Sequence, residues 1–318
     1  MHTPNRLLGN SNTPTGRFAP SPTGYLHLGS LLTSLASFIY AKQNNSHWFV
    51  RIDDLDAQRC LPQYASSIIQ DLKLVFEKPF PTQPLDVVFQ STRLSRYQEA
   101  LNFLIEQGQV FYCTCSRQQL HSVVSSDAED KNTICQCHRQ TTPPKQAYAV
   151  RLYSNRLRNG QHITPDITHD FILQRKDKVF AYHLACVLDD ALDGVTEIVR
   201  GADLIDVAQP QQELMDILSL AQPKYYYMPI ITNTNGDKLS KQNHAAHYLK
   251  EVYNDNTADP VKLAAHIIKA LLLLRWPKQA LTEAPEPTWN IIDIFQWAIT
   301  WFDVAANSVS ACSIKSKI

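Results

Sequence analysis

The sequence carries no excess of charge: 30 Lys and Arg face 30 Asp and Glu in 318 residues, for a formal net charge of zero. No global field would draw such a chain to nucleic acid, so any surface of that kind has to be a local basic patch. Long apolar runs are missing too. The longest, Ala270 to Leu274 and the interrupted Ile291 to Phe302, are too short and too broken to span a bilayer, and no membrane contact is expected. Met1 to Thr15 has no apolar signal core and reads as a polar tail, which makes a cytoplasmic protein the expectation. Internal repeats and low-complexity tracts are absent. What remains, 44% hydrophobic with 19% charged, is the ordinary composition of a globular chain, and nothing in it suggests fibre or disorder.

The most informative stretch runs from Arg17 to Ser30, Arg-Phe-Ala-Pro-Ser-Pro-Thr-Gly-Tyr-Leu-His-Leu-Gly-Ser. Pro20 and Pro22 exclude helix and bias their preceding residues to extended geometry, and Gly24 permits a turn. A helical apolar pattern follows at once at Leu28, Leu31, Leu32, Leu35, Phe38 and Ile39. The backbone N–H groups of that helix start favour an anion such as a nucleotide phosphate.

His47 to Ile52 then reads as a strand, ending in the acidic cluster Asp53, Asp54 and Asp56. Strand, glycine-containing turn, helix and strand open a βαβ unit, in which ligands gather at the carboxyl ends of the strands. Asp53 therefore belongs near His27, unless these aspartates only cap the helix that begins near Pro62. Helices are expected over Gln63 to Phe76 and Leu94 to Gln107, the latter stopped by Gly108, with a short strand Val87 to Gln90 between them. Strands are expected at Ala147 to Leu152, Asp170 to Arg175, Val195 to Arg200 and Tyr225 to Ile231; Phe180 to Asp190 fits a helix or a buried strand equally well. Arg200 also ends a strand, and with Asp53 it could hold a zwitterion such as an amino acid. The loop Asn235 to Gln242 carries Lys238, Ser240 and Lys241 on a glycine-bearing turn suited to a cationic clamp for polyphosphate. Helical patterns, Val207 to Leu220, Val261 to Leu274 and Ile291 to Phe302, fill much of the remainder.

Seven cysteines is an odd number, and four of them form two close pairs, Cys113/Cys115 and Cys135/Cys137. That pattern argues for metal rather than for a disulfide framework. Four thiolates gathered across a loop suit tetrahedral zinc in a structural site, with His138 able to replace one of them; reduced cysteines without metal are the alternative.

The two elements Pro20 to Gly29 and Lys238 to Lys241 resemble the paired signatures of class I aminoacyl-tRNA synthetases, and Arg-Phe-Ala-Pro-Ser-Pro-Thr-Gly looks like their glutamyl/glutaminyl branch. Arg51-Ile52-Asp53-Asp54, Val199 to Leu204 and Ile294 to Ala298 extend the resemblance from about Arg17 to about Asn307. The short helical remainder and the cysteine cluster are similar to the truncated glutamyl-Q tRNA(Asp) synthetase family. The resemblance implies an α/β chain: a class I synthetase-type Rossmann core, a doubly wound parallel sheet, with a zinc-bearing insertion and a short C-terminal helical region. Its boundaries would be a tail at 1–16, the halves of the catalytic domain at 17–109 and 169–243, the insertion at 110–168, and helices at 244–318 without an anticodon-binding domain.

The resemblance further implies an enzyme, a monomer, that activates L-glutamate with ATP and Mg2+ before tRNA is needed and transfers it to the queuosine base at the wobble position of tRNA(Asp). The alternatives are a shortened synthetase that charges an acceptor end and an inactive RNA-binding module. Catalysis would fall to His27 and Lys241. Arg17, Phe18, Ala19, Pro20, Ser21, Asp53, Tyr182 and Arg200 would bind glutamate, with Asp53 standing where the family commonly has glutamate. His27, Gly29, Ser30, Lys238, Ser240 and Lys241 would bind ATP, and Cys113, Cys115, Cys135 and Cys137 the zinc.

Overall fold

The structure, a computed structural model, describes residues 14–116, 118–119, 136–153, 171–231, 247–254 and 257–309. In chain order its strands are β1 Thr15–Phe18, β2 His47–Ile52, β3 Val87–Phe89, β4 Val110–Cys113, β5 Ala149–Leu152, β6 Ile172–Gln174, β7 Glu197–Gly201, β8 Lys224–Met228 and the two-residue β9 Tyr253–Asn254 and β10 Thr257–Ala258. The helices are α1 Leu28–Gln43, α2 Pro62–Leu72, α3 Leu94–Glu106, α4 Tyr182–Leu192, α5 Ala208–Ile217, α6 Pro260–Leu271, α7 Lys278–Thr282, α8 Ile291–Trp301 and α9 Val304–Asn307. These elements fall into two compact units, one formed by 14–91, 193–206 and 223–309, the other by 92–192 and 207–222.

The first unit is built on a five-stranded sheet in the order β3-β2-β1-β7-β8, and all four pairings are parallel. From β1 the chain adds strands outward to one side and later returns to add β7 and β8 on the other, so the switch point of the sheet lies between β1 and β7. One face of the sheet, with Phe18, Val50, Ile52, Val199 and Met228, packs in a single core with Leu31, Leu35 and Ile39 of α1 and with Phe295 and Trp297 of α8. Residues of the opposite parity, Phe49 and Ile198, form a separate cluster with Val195. β1 starts at Thr15, inside the expected tail, because Pro14 and Thr15 are tied to their neighbours: the His47 N–H donates to the Pro14 carbonyl at 2.9 Å and the Thr15 N–H to Thr196 Oγ1 at 3.1 Å. Along the outer edge of β8, the Tyr227 N–H donates to Ser308 Oγ at 2.9 Å and the Val309 N–H to the Tyr227 carbonyl at 2.8 Å.

The second unit holds the antiparallel sheet β4-β5-β6 and the helices α3, α4 and α5. Helix α3 stops at Gly108, whose φ of 64° and whose N–H bond to Ile105, with that of Gln109 to Leu104, make a Schellman close. Phe180 to Asp190 is resolved as helix from Tyr182. Asp189 on it is fully buried, held by Arg93 Nη1 at 3.0 Å and the Tyr97 hydroxyl at 2.7 Å. Among the described residues no helix is long and apolar enough to cross a membrane.

Candidate active site

The carboxyl ends of β1, β2 and β7 are adjacent, and the sequence places its charges there. Gly16 pairs with Glu197, so Arg200, three residues on, stands level with Ala19 just past β1. Phe18 pairs with Val50, which carries Asp53 to the same edge, and the Asp53 N–H donates to the Pro20 carbonyl at 3.0 Å. Strand alternation puts Arg17, Arg51 and Arg200 on the face of Phe49 and Ile198, and all three are buried. Guanidinium groups suit carboxylates geometrically, so a face that carries three of them is suited to a site that receives one.

Asp53 does not cap α2, whose N-cap Leu61 makes no side-chain cap bond. It turns back on its own strand: Arg51 Nε donates to Asp53 Oδ1 at 2.8 Å, with side chains 0% and 4% exposed. Asp54 instead accepts from Ser91, and Asp56 from Arg59. Arg200 lies against two rings missing from the sequence-based site, with its guanidinium 4.6 Å from the Tyr225 centroid and 5.4 Å from that of Tyr227. Its Nη2 donates to the Tyr227 hydroxyl at 3.3 Å, and the two rings are parallel within 8°. The signal lay in the run Tyr225-Tyr226-Tyr227: alternation sends the outer two to the Arg200 face and Tyr226 to the other, where its hydroxyl is 3.1 Å from that of Tyr40.

His27 is the N-cap of α1, in extended geometry at φ −106° and ψ 167°. Its Nδ1 accepts the Ser30 N–H at 3.2 Å, which leaves the proton of the neutral ring on Nε2, 3.0 Å from Ser30 Oγ. Ser30 is thus engaged with His27 through both groups, and the first-turn N–H groups of Leu28 and Gly29 have no partner among the described residues. Gly29 gives the ring its room, since a Cβ there would lie 3.3 Å from both Cε1 and Nδ1 of His27. A helix start whose first N–H groups are unengaged among the described residues, with a histidine at its cap and no acidic residue in its first turn, is suited to an anion. The polypeptide from Pro20 to His27 is braced by the Leu61 N–H on the Pro22 carbonyl at 3.1 Å and the Tyr248 N–H on the Leu26 carbonyl at 3.0 Å.

Arg17 to Ser21, His27, Gly29, Ser30, Asp53 and Arg200 therefore share one unit and one end of one sheet. Tyr182 opens α4 of the other unit, while Lys238, Ser240, Lys241 and Cys135 lie outside the described residues. Cys113, Cys115 and Cys137 do meet, with their sulfurs all within 4.8 Å of one another, beside Phe111 and Tyr153. Tetrahedral zinc thiolates, with bonds of about 2.3 Å, need sulfurs about 3.8 Å apart, and the Cys115 to Cys137 separation is 3.6 Å. Burial alone would raise the Cys137 thiol, but hydrogen bonds from the Thr114 backbone and hydroxyl and from Cys115 outweigh it, and its pKa falls below the usual thiol value. These three cysteines could hold a metal ion.

Residues 15–308, which hold the parallel sheet and the histidine-capped helix start, match the model of the tRNA synthetases class I (E and Q), catalytic domain. The chain is an enzyme, a ligase of that class. A glutamyl-Q tRNA(Asp) synthetase of Pectobacterium atrosepticum is 41% identical over 261 residues, 79% of this chain and 76% of the relative. One of Escherichia coli K12 is 40% identical over 237 residues, 72% and 74% of the two. This chain belongs to the glutamyl-Q tRNA(Asp) synthetase family. In fold, a glutamate tRNA ligase of Elizabethkingia meningosepticum matches with a TM-score of 0.66 at 20% identity, over 94% of this chain and 66% of that longer one.

Proposed function

We propose that this enzyme activates L-glutamate with ATP, without tRNA, and passes the glutamyl group to the queuosine base at the wobble position of tRNA(Asp). The observation that carries the first half is the gathering of Arg17, Asp53 and Arg200 at adjacent strand ends beside the His27-capped start of α1. A glutamate carboxylate oxygen attacks the α-phosphorus of ATP, the new carboxylate–phosphate bond forms as the α–β anhydride breaks, and pyrophosphate leaves with its charge. No covalent nucleophile is needed; positioning and charge stabilisation carry the step. Arg17 to Ser21, Tyr182 and Arg200 bind glutamate, with Asp53 taking the α-ammonium. His27 donates from Nε2 to phosphate in exchange for Ser30, the Gly29 N–H adds a second donor, and Lys238, Ser240 and Lys241 act on the polyphosphate with Mg2+.

The second half, transfer to queuosine with release of AMP, is supported by the names of the relatives at about 40% identity. Zinc on Cys113, Cys115 and Cys137, with Cys135 or His138 as the fourth ligand, would tie the 110–168 insertion together and take no part in the reaction. The boundaries 1–16, 17–109, 110–168, 169–243 and 244–318 and the monomeric state belong to the same reading.

Two measurements test it. Purified enzyme with glutamate, ATP and Mg2+ but no tRNA is expected to exchange labelled pyrophosphate into ATP. With labelled glutamate, tRNA(Asp) containing queuosine is expected to take up label and the same tRNA lacking it to take up none. Equal labelling of both would show acceptor-end charging instead, and no exchange at all would leave an inactive module.

A further inference from the structure

The residues just before His27 are gripped from a direction that the chemistry does not use. Asp71, on α2, has its side chain 1% exposed, with His247 Nε2 at 2.8 Å from Oδ2 and the Tyr253 hydroxyl donating to Oδ1 at 2.7 Å. Burial, joined by the Asp71 carboxylate, raises the Tyr253 hydroxyl pKa above its ordinary value and keeps it a donor. The His247 ring, fixed at one end by Asp71, stacks on Tyr25 with centroids 5.1 Å apart and planes within 17°. Tyr25 in turn meets Tyr64 of α2 edge-on at 5.0 Å. The next residue along, Tyr248, holds the Leu26 carbonyl through its N–H at 3.0 Å, while the Leu26 side chain is fully buried.

Tyr25 and Leu26 are thus held by two consecutive residues, one through its ring and one through its main chain. The direction of the His27 ring depends on the backbone that enters the N-cap, and that backbone is set by Tyr25 and Leu26. The geometry points to Asp71 and His247 as positioning residues for His27, acting through the ring of Tyr25. A purely structural anchor would have no need of Tyr25, which remains 41% exposed and adds little to the core. The assignment rests on His27 as the phosphate donor, but its first readout does not.

The test uses the full-length enzyme with Tyr25→Ala, Tyr25→Phe and His247→Ala. Amide hydrogen exchange over 22–31 is expected to rise about three- to tenfold in Tyr25→Ala and His247→Ala, the range for losing one stacked pair, and to match wild type in Tyr25→Phe, which keeps its ring. In pyrophosphate exchange, kcat should fall by a similar factor in the first two with KM for glutamate within about twofold, and Tyr25→Phe should recover it. Should His247→Ala fail to fold, the exposed Tyr25 pair decides alone. Unchanged amide exchange in Tyr25→Ala overturns the proposal, as does raised exchange with unaltered kcat. A wild-type enzyme inactive in pyrophosphate exchange would count against the functional reading, and the amide data would still decide the grip on the 22–31 segment.

Discussion

Gly29→Ala separates what the start of α1 does for stability from what it does for catalysis. The added Cβ would stand 3.3 Å from Cε1 and Nδ1 of His27, against about 3.5–4.0 Å for an unstrained carbon contact, so the ring has to give by a few tenths of an ångström. The Nδ1 bond to the Ser30 N–H is already 3.2 Å long and lengthens further, releasing the ring from the orientation that aims Nε2. A donor to charged phosphate is worth about 1.5–3 kcal/mol, so losing its aim should lower kcat about 10- to 150-fold. For stability the terms oppose each other. Alanine gains up to about 1 kcal/mol over glycine in a helix, less at its first turn, and crowding the ring costs about 0.5–1.5 kcal/mol. The midpoint of thermal unfolding should therefore move by only about 2 °C either way. Pyrophosphate exchange measured beside a thermal melt reads both quantities. A variant with kcat within twofold of wild type and an unmoved midpoint would refute the need for His27 to hold that position.

Two further outcomes follow from the arginine face and the thiol cluster. Arg200→Lys replaces a plane that lies against Tyr225 and Tyr227 by a point charge, and KM for glutamate is expected to rise about tenfold or more while the melting midpoint barely moves; an unaltered KM would remove Arg200 from the glutamate site. Cys115→Ser should reduce bound zinc, measured by elemental analysis of freshly purified protein, from about one per chain to a small fraction, since hydroxyls bind zinc far less well than thiolates. Full retention of metal in that variant would exclude Cys115 as a ligand.

How much of this was legible beforehand follows the range of the interactions. The β1–α1–β2 opening depends on local periodicity and on two prolines, and it could be read directly. The charges at Asp53 and Arg200 marked strand ends, but only the sheet order makes those ends neighbours, because β7 returns to β1 across most of the chain. Phe180 to Asp190 was undecidable by period, since its helix buries Leu184 through Asp190 without interruption and the exposed positions that reveal amphipathicity are missing. The partnership of Asp71 with His247 spans 176 residues and left no trace in either neighbourhood. For Asp53 the sequence offers a ligand carboxylate or a helix cap, and neither reading anticipates its bond to Arg51, two residues away.

The contact of Ser308 and Val309 with Tyr227 has a consequence for solubility. β8 is an outer strand of the sheet, and an open outer strand offers unpaired amides to any other extended chain. With Tyr227 occupied at both its N–H and its carbonyl, that template is blocked at the point where its side chain also supports Arg200. A lesion near Ser308 would thus open an aggregation-prone edge and unsettle an arginine of the candidate glutamate site together.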